Sequence, residues 1–165
     1  MTDTQAPGVE CFICAAALGA THELVVARDD LTVTLLNRYP YNTGHVMVAP
    51  KAHVADLLEA GDEGAAAVMI AARKAMRALQ VAMRPEGFNL GVNHGPAAGA
   101  SVTHVHLHVV PRWEGDTNFM PVVGDTKVLP EMLEQSAARI RAAFGELDAL
   151  VVPDAPTVEG VVPAE

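Results

Sequence analysis

Residues 103–113 read Thr-His-Val-His-Leu-His-Val-Val-Pro-Arg-Trp, so three histidines, His104, His106 and His108, alternate with Val105, Leu107 and Val109. Side chains that alternate at period two belong to a β-strand with one set on each face. A solvated strand face is ordinarily met with Thr, Lys or Glu. Three imidazoles within roughly 13 Å, at about 3.3 Å of rise per residue, instead concentrate nucleophilic, proton-transferring and metal-binding capacity. The pattern predicts a strand with one face on the core and the other on a ligand.

Two further segments have chemistry in their residue types. Cys11-Phe12-Ile13-Cys14 places two thiols three residues apart, a spacing that lets one turn grip a tetrahedral metal ion. A thioredoxin-like redox motif and a plain apolar turn are the competing readings. The first of these lacks the preceding strand and the parallel βαβ pattern that should surround it. Residues 94–101, His-Gly-Pro-Ala-Ala-Gly-Ala-Ser, form a loop of small residues whose N–H groups could cradle phosphate oxygens, without the spacing of a Walker or dinucleotide-binding loop. His94 either adds charge there or is an exposed loop histidine, and His22 reads as a surface turn residue.

The elements that must position these groups follow from periodicity. Val- and Thr-rich runs at 23–27 and 31–36 predict a hairpin turning at Arg28-Asp29-Asp30. After a turn-forming loop at 37–44, residues 45–49 predict a third strand ending at Pro50, then a short helix over 54–59. A long helix over 62–83 is stopped by Pro85 and Gly87. Its stripe of Val68, Ala71, Ala72, Ala75, Met76, Leu79 and Met83 recurs at helical spacing and can lie on a sheet, with the methionines as core filler. Residues 88–93 predict a fourth strand, 103–113 the histidine strand, 120–123 an extended segment and 130–144 a second helix with Pro at its start. No internal repeat is present.

At 165 residues, half of them hydrophobic and 4% aromatic, the chain predicts one domain packed mainly with Val, Leu, Ala and Met. Its boundaries read as a flexible stretch at 1–8, a domain over 9–145 and a disordered acidic tail over 146–165. A formal charge of −9 argues against non-specific nucleic-acid binding, which needs a basic face. Any anionic ligand must therefore be held by local groups. The first eight residues lack the basic and apolar regions of a signal peptide, and no run approaches the ~18 apolar residues of a membrane span. The expectation is a cytoplasmic protein without a membrane partner.

His104-Val-His106-Leu-His108-Val-Val resembles the signature of the histidine-triad (HIT) nucleotide hydrolases and transferases. The resemblance extends to Asn37, His45, Pro50-Lys51-Ala52-His53, Asn89, Asn93, Gly99 and Ser101. Pro111-Arg112-Trp113 followed by Gly115-Asp116-Thr117-Asn118-Phe119 is similar to the bacterial branch that includes diadenosine tetraphosphate phosphorylases. The family implies an α+β fold: an antiparallel sheet of about five strands, one long helix packed on it, a C-terminal helix, and usually a homodimer.

The resemblance also implies roles. His106 is the nucleophile that attacks the α-phosphorus of a nucleoside polyphosphate, giving a nucleotidyl-histidine. His108 and Ser101 meet the phosphate and leaving-group oxygens, and Asn93 and Gly99 lie beside them. Asn37 contacts ribose, with His45 and Asn89 also on the substrate side. Zinc is implied in a closed Cys₂His₂ set of Cys11, Cys14, His53 and His104, where it would be structural. Ala100 and Leu107 each stand where relatives can carry Gln, which leaves the acceptor, water or phosphate, open.

The reading is therefore a nucleotidyl hydrolase or phosphorylase acting on dinucleoside polyphosphates of the diadenosine tetraphosphate or triphosphate type. The alternative is a nucleotide-binding regulatory module with weak phosphoramidase activity. A related branch that transfers between nucleoside diphosphates and sugars has Gln at the last triad position, and His108 argues against it.

Overall fold

A computed structural model of the chain describes residues 11–19, 23–116 and 131–149. Five antiparallel strands, β1 (Val25–Arg28), β2 (Thr32–Leu36), β3 (Val46–Pro50), β4 (Gly87–Val92) and β5 (Leu107–Arg112), form one sheet in the order β1-β2-β3-β5-β4. The α+β class and the five-stranded sheet are as expected. Asp29 closes the β1–β2 hairpin: its carboxylate accepts the N–H groups of Leu31 and Thr32 at 3.0 and 2.7 Å and the Thr32 hydroxyl at 2.7 Å. A short acidic side chain folding back on nearby amides is what stabilises such a turn.

One face of the sheet carries the main core. Leu36, Val46, Val48, Leu107 and Val109 meet Val68, Ala71, Ala72, Ala75 and Leu79 of α2 (Leu57–Met83) and Ala137, Ile140, Ala143 and Phe144 of α3 (Leu133–Ala149). The predicted stripe is thus the buried one. Met76 and Met83 pack partly buried against it, whereas Met69, also expected as filler, is half exposed.

The helix expected over 54–59 begins only at Leu57, because Asp56 caps α2 by accepting the N–H groups of Leu58 and Glu59. Gly61, at φ +65°, breaks the helical path and separates the short and long segments. Arg84 closes the C-terminus in the left-handed conformation, just before Pro85. On the sheet's other face α1 (Phe12–Ala17) seats Ile13 and Ala16 against Val33, Leu35, Met47 and Ala49.

Two expectations need correction. The histidine strand does not span 103–113: β5 starts at Leu107, so His104 and His106 precede it in irregular backbone. Continuing the β3 ladder past Leu107 would bring Pro50 into register, and Pro50 has no N–H to donate. The Val105 N–H instead bonds the Val54 carbonyl at 2.9 Å, turning the chain away. The second helix runs from Leu133 to Ala149, past its expected end at 144, with Leu147 still packed on the core. The expected flexible start at 1–8, His22, the extended segment at 120–123, Pro130 and residues 150–165 of the expected tail lie outside the described residues.

Gly44 fixes how the loop before β3 meets α2. At φ +78°, a Cβ there would sit 2.5 Å from Met83 Sδ and 3.2 Å from Leu79 Cδ2. Gly44→Ala is expected to lower unfolding stability by about 2–4 kcal/mol, from backbone strain plus overpacking. Gly61→Ala, at φ +65° and ψ 177° but with nothing within 4 Å, should cost backbone strain alone, about 1–3 kcal/mol, and less than Gly44→Ala. Equal losses for the two in urea titrations would contradict this.

Candidate active site and metal centre

The face of the sheet opposite α2 and α3 opens into a cavity of about 400 Å³, within the usual size of a small-molecule pocket. The bend before β5 aims two of the three histidines into it. His106, His108, Ser101, Asn37, Asn93 and Gly99 all line it, as expected. Gly99, at φ +87°, closes the single 3₁₀ turn of Pro96–Ala98, and the Asn93 amide donates to its carbonyl at 3.3 Å, fixing the loop that ends at Ser101.

The proton positions on the two imidazoles follow from their partners. His106 Nδ1 lies 2.9 Å from the His104 carbonyl, which only accepts, so Nδ1 carries the proton and Nε2 keeps its lone pair. Burial holds His106 below the ordinary imidazole value, with the His104 carbonyl opposing. His108 is set the other way. The Tyr41 N–H donates to His45 Nδ1 at 3.0 Å, so the neutral His45 ring carries its proton on Nε2, 3.0 Å from His108 Nδ1. His108 therefore accepts at Nδ1 and holds its own proton on Nε2. Burial, then the neighbouring His106, pushes its pKa down to about 4. At neutral pH both rings are uncharged, one offering a lone pair and the other a donor.

His45 and Asn89, expected at the substrate, do not line the cavity. His45 is fully buried, reaching the site only through His108, and the exposed Asn89 accepts from Arg112 Nη1 at 2.8 Å. His94 Nε2 is 3.3 Å from Asp56 Oδ2 and more than half exposed, away from the cavity. The sequence reading missed Tyr41, whose ring stacks on His45 at a centroid distance of 4.8 Å, and Phe12, which lines the cavity between the two cysteines. Both tyrosines line the cavity of a chain with few aromatic residues, and that scarcity was the available signal.

His104 is absent from the cavity lining and fully buried. Its Nε2 donates to the Pro50 carbonyl at 2.9 Å, which leaves Nδ1 unprotonated and facing Cys11 Sγ at 3.4 Å and Cys14 Sγ at 3.5 Å. Cys14 Sγ is 3.2 Å from His53 Nδ1, and the four ligand atoms lie within 4.8 Å of one another. A tetrahedral ion with bonds of about 2.0–2.3 Å requires ligand atoms about 3.5 Å apart. The residues therefore fit a closed four-ligand site, and the carbonyl behind His104 is the outer partner that orients a ligating imidazole. No helix among the described residues is long and apolar enough to cross a membrane.

Comparison with known proteins agrees with this geometry. Residues 19–115 match the model of the HIT domain family. A Mycobacterium tuberculosis protein named AP-4-A phosphorylase is 46% identical over 114 residues, 68% of this chain; the chain spans 58% of that relative's length. An uncharacterized HIT-like protein of Saccharolobus solfataricus is 32% identical over 67% of the chain and 79% of its own length. Among solved structures, a Zn-bound histidine triad family protein from Mycobacterium smegmatis superposes with a TM-score of 0.71 at 30% identity, covering 84% of this chain and 96% of that one. A hypothetical histidine triad nucleotide-binding protein from Sulfolobus tokodaii gives 0.70 at 27% identity, with 84% and 94% covered.

The depressed pKa of His108 has a consequence for stability. Above pH 6.5 the ring is neutral in both folded and unfolded chains and contributes no pH dependence. Between pH 6.5 and about 4 only the unfolded chain takes up the proton, so stability falls with pH. From pH 7 to pH 4 the wild type should lose about 3 kcal/mol more unfolding free energy than His108→Gln, measured by denaturant titration. Parallel losses in the two proteins would refute the buried neutral ring.

Proposed function

The chain belongs to the HIT domain family, and from that premise we propose that it is a nucleotidyl hydrolase or transferase that cleaves dinucleoside polyphosphates at the α-phosphorus. Substrates of the diadenosine tetraphosphate or triphosphate type fit best, with water or phosphate as the acceptor. The observation that carries this reading is the pair of opposite tautomers, His106 with a free Nε2 and His108 with an Nε2–H, both lining a cavity of small-molecule size.

In the first step His106 Nε2 attacks the α-phosphorus. The Nε2–P bond forms, the P–O bond to the next phosphate breaks, and the nucleoside polyphosphate leaves. A phosphate oxygen is a stable anion near neutral pH, so it needs a hydrogen bond in the transition state more than a proton. His108 Nε2–H supplies one, and Ser101 on the wall of the same cavity would supply another, whereas the amides of Ala98, Gly99 and Ala100 are taken up by the carbonyls of Gly95 and Pro96. The proton stays on His106 Nδ1, donated in a hydrogen bond to the His104 carbonyl, which stabilises the positive ring of the intermediate. In the second step a water or phosphate oxygen attacks the phosphorus, the Nε2–P bond breaks with its electron pair returning to Nε2, neutral His106 is restored, and the proton of an attacking water passes to solvent. In an acidic chain this site meets its anion with oriented neutral donors, with Arg38 the cation on the cavity wall.

Cys11, Cys14, His53 and His104 would hold one zinc ion. The ion would supply structural cross-linking and charge balance for the thiolates, and the set has no open position from which to activate water. That a Zn-bound neighbour shares the fold supports zinc as the metal. We also take the molecule to act as a homodimer within the cytoplasm, without nucleic acid or membrane as partner. The exposed edge strand β4, with Leu90 40% exposed, is consistent with a second copy.

Incubation with diadenosine tetraphosphate, with and without inorganic phosphate, separates the acceptors. Adenosine monophosphate plus triphosphate marks hydrolysis; diphosphate plus triphosphate marks phosphorolysis. His106→Ala should remove turnover by at least about 10⁴-fold while leaving the fold intact, and near-normal turnover would end the covalent mechanism. Cys11→Ser should reduce metal content from one ion per chain to a small fraction and lower unfolding stability by at least about 2 kcal/mol. Elemental analysis that finds full occupancy in this variant would exclude Cys11 as a ligand.

A further inference from the structure

One polar cluster is used neither by the proposed chemistry nor by the metal set. The Asp116 carboxylate accepts four hydrogen bonds: from Arg112 Nη2 at 2.6 Å on Oδ1, and on Oδ2 from Arg112 Nε at 2.7 Å, Asn42 Nδ2 at 2.8 Å and the Trp113 N–H at 3.0 Å. The Asp116 side chain is only 11% exposed, so this paired, mostly buried carboxylate is held in one geometry. Asn42 Nδ2 also donates to the Pro111 carbonyl at 3.1 Å. Through its side chain, a residue of the loop before β3 is tied to the end of β5 and the turn after it.

The same residue is linked through its main chain to His45, behind the active site. The Asn42 carbonyl accepts the His45 N–H at 3.1 Å, and its neighbour Tyr41 donates its own N–H to His45 Nδ1. The turn from Tyr41 to His45 is therefore gripped at its centre by Asp116 and at its ends by His45. Any displacement of Asn42 moves the one donor that keeps Nδ1 of His45 unprotonated.

We propose that Arg112, Asp116 and Asn42 form a positioning clamp that sets the tautomer of His108. Asp116 holds Asn42, Asn42 holds the Tyr41–His45 turn, the Tyr41 N–H occupies His45 Nδ1, and His45 Nε2–H then occupies His108 Nδ1. His108 is left with its proton on Nε2, toward the cavity. No residue of the clamp lines the cavity, so none of them is a catalytic residue. The catalytic consequence rests on the proposed function above; the tautomeric consequence does not.

A carboxylate suits position 116 because all four of these contacts, from Arg112 Nη2 and Nε, Asn42 Nδ2 and the Trp113 N–H, come from donors. An amide there would turn an NH₂ toward the guanidinium or toward the Asn42 amide. Asn42→Ala is the milder change, since it leaves the Arg112–Asp116 pair and the Trp113 contact in place.

The test is ¹⁵N NMR of the histidine rings at neutral pH in wild type, Asp116→Asn and Asn42→Ala, with circular dichroism to confirm folding. The wild type should show His108 protonated on Nε2 alone. Each folded variant should show a mixture of Nε2 and Nδ1 protonation, with kcat on diadenosine tetraphosphate reduced about tenfold or more and KM changed less than about threefold. Should Asp116→Asn fail to fold, Asn42→Ala gives the same readout. A folded variant that keeps the wild-type His108 spectrum overturns the clamp. A shifted tautomer with unchanged kcat upholds the clamp and overturns instead the role given to His108 in the reaction.

Discussion

His104 is the constraint on which the rest of the site depends. Its ring is fully buried, and a buried imidazole must have both nitrogens satisfied or it costs free energy. Nε2 is satisfied by the Pro50 carbonyl at the end of β3, and Nδ1 by the two cysteines at the start of the described chain. Its carbonyl then accepts the hydrogen bond of His106 Nδ1–H. One residue thus joins the N-terminal helix, the central sheet and the proposed nucleophile. A rotation of that ring would break the Pro50 bond and shift the carbonyl that selects the reactive tautomer.

Two histidines two residues apart acquire opposite chemical roles from their partners alone. A carbonyl beside His106 makes its near nitrogen a donor and leaves its far nitrogen with a lone pair. A protonated imidazole nitrogen beside His108 makes its near nitrogen an acceptor and its far nitrogen a donor. Burial lowers both pKa values, so neither role is lost to protonation near neutral pH. This arrangement also suits a chain of formal charge −9. Neutral donors can approach a polyphosphate, and preorganised dipoles in a partly desolvated cavity stabilise developing charge without reorganising.

How much of this was legible in the sequence depends on how local each interaction is. The stripe from Val68 to Leu79 is a local pattern, and it is the face buried on the sheet. Individual strands were legible as runs of Val, Leu and Thr between turn formers, whereas the α+β class and the sheet of about five strands came from the resemblance to the histidine-triad family. Spacing brought Cys11 and Cys14 into view as a metal grip and the resemblance added His53 and His104, and the four do converge despite separations of up to 93 residues. What period-two alternation could not reveal is that Pro50 ends the ladder, so that the three histidines do not share a strand face. Nor could it place His45 behind His108, or Asn42 against Asp116, since those pairs meet only after β3 and β5 are side by side. The branch motif around Arg112 and Asp116 stood out in the sequence, but its contacts with the 41–45 turn had no local signal.

The two faces of the sheet divide the work of the molecule, and the division explains where polar groups are buried. Helices α2 and α3 cover one face with aliphatic side chains, so apolar burial there stabilises the sheet without help from the site. The opposite face is left to the short helix α1, the histidines and the 95–101 loop. It buries His45, His104 and most of His108, groups that give up hydration and recover it only through specific hydrogen bonds. Such a face is stable only when every member of the network is present. That is why the metal set, the His104 carbonyl and the Asn42–Asp116 tie lie around the cavity: each fixes a side chain that apolar packing alone would leave free to rotate. The constraint that stabilises this face is the same one that orients His106 and His108.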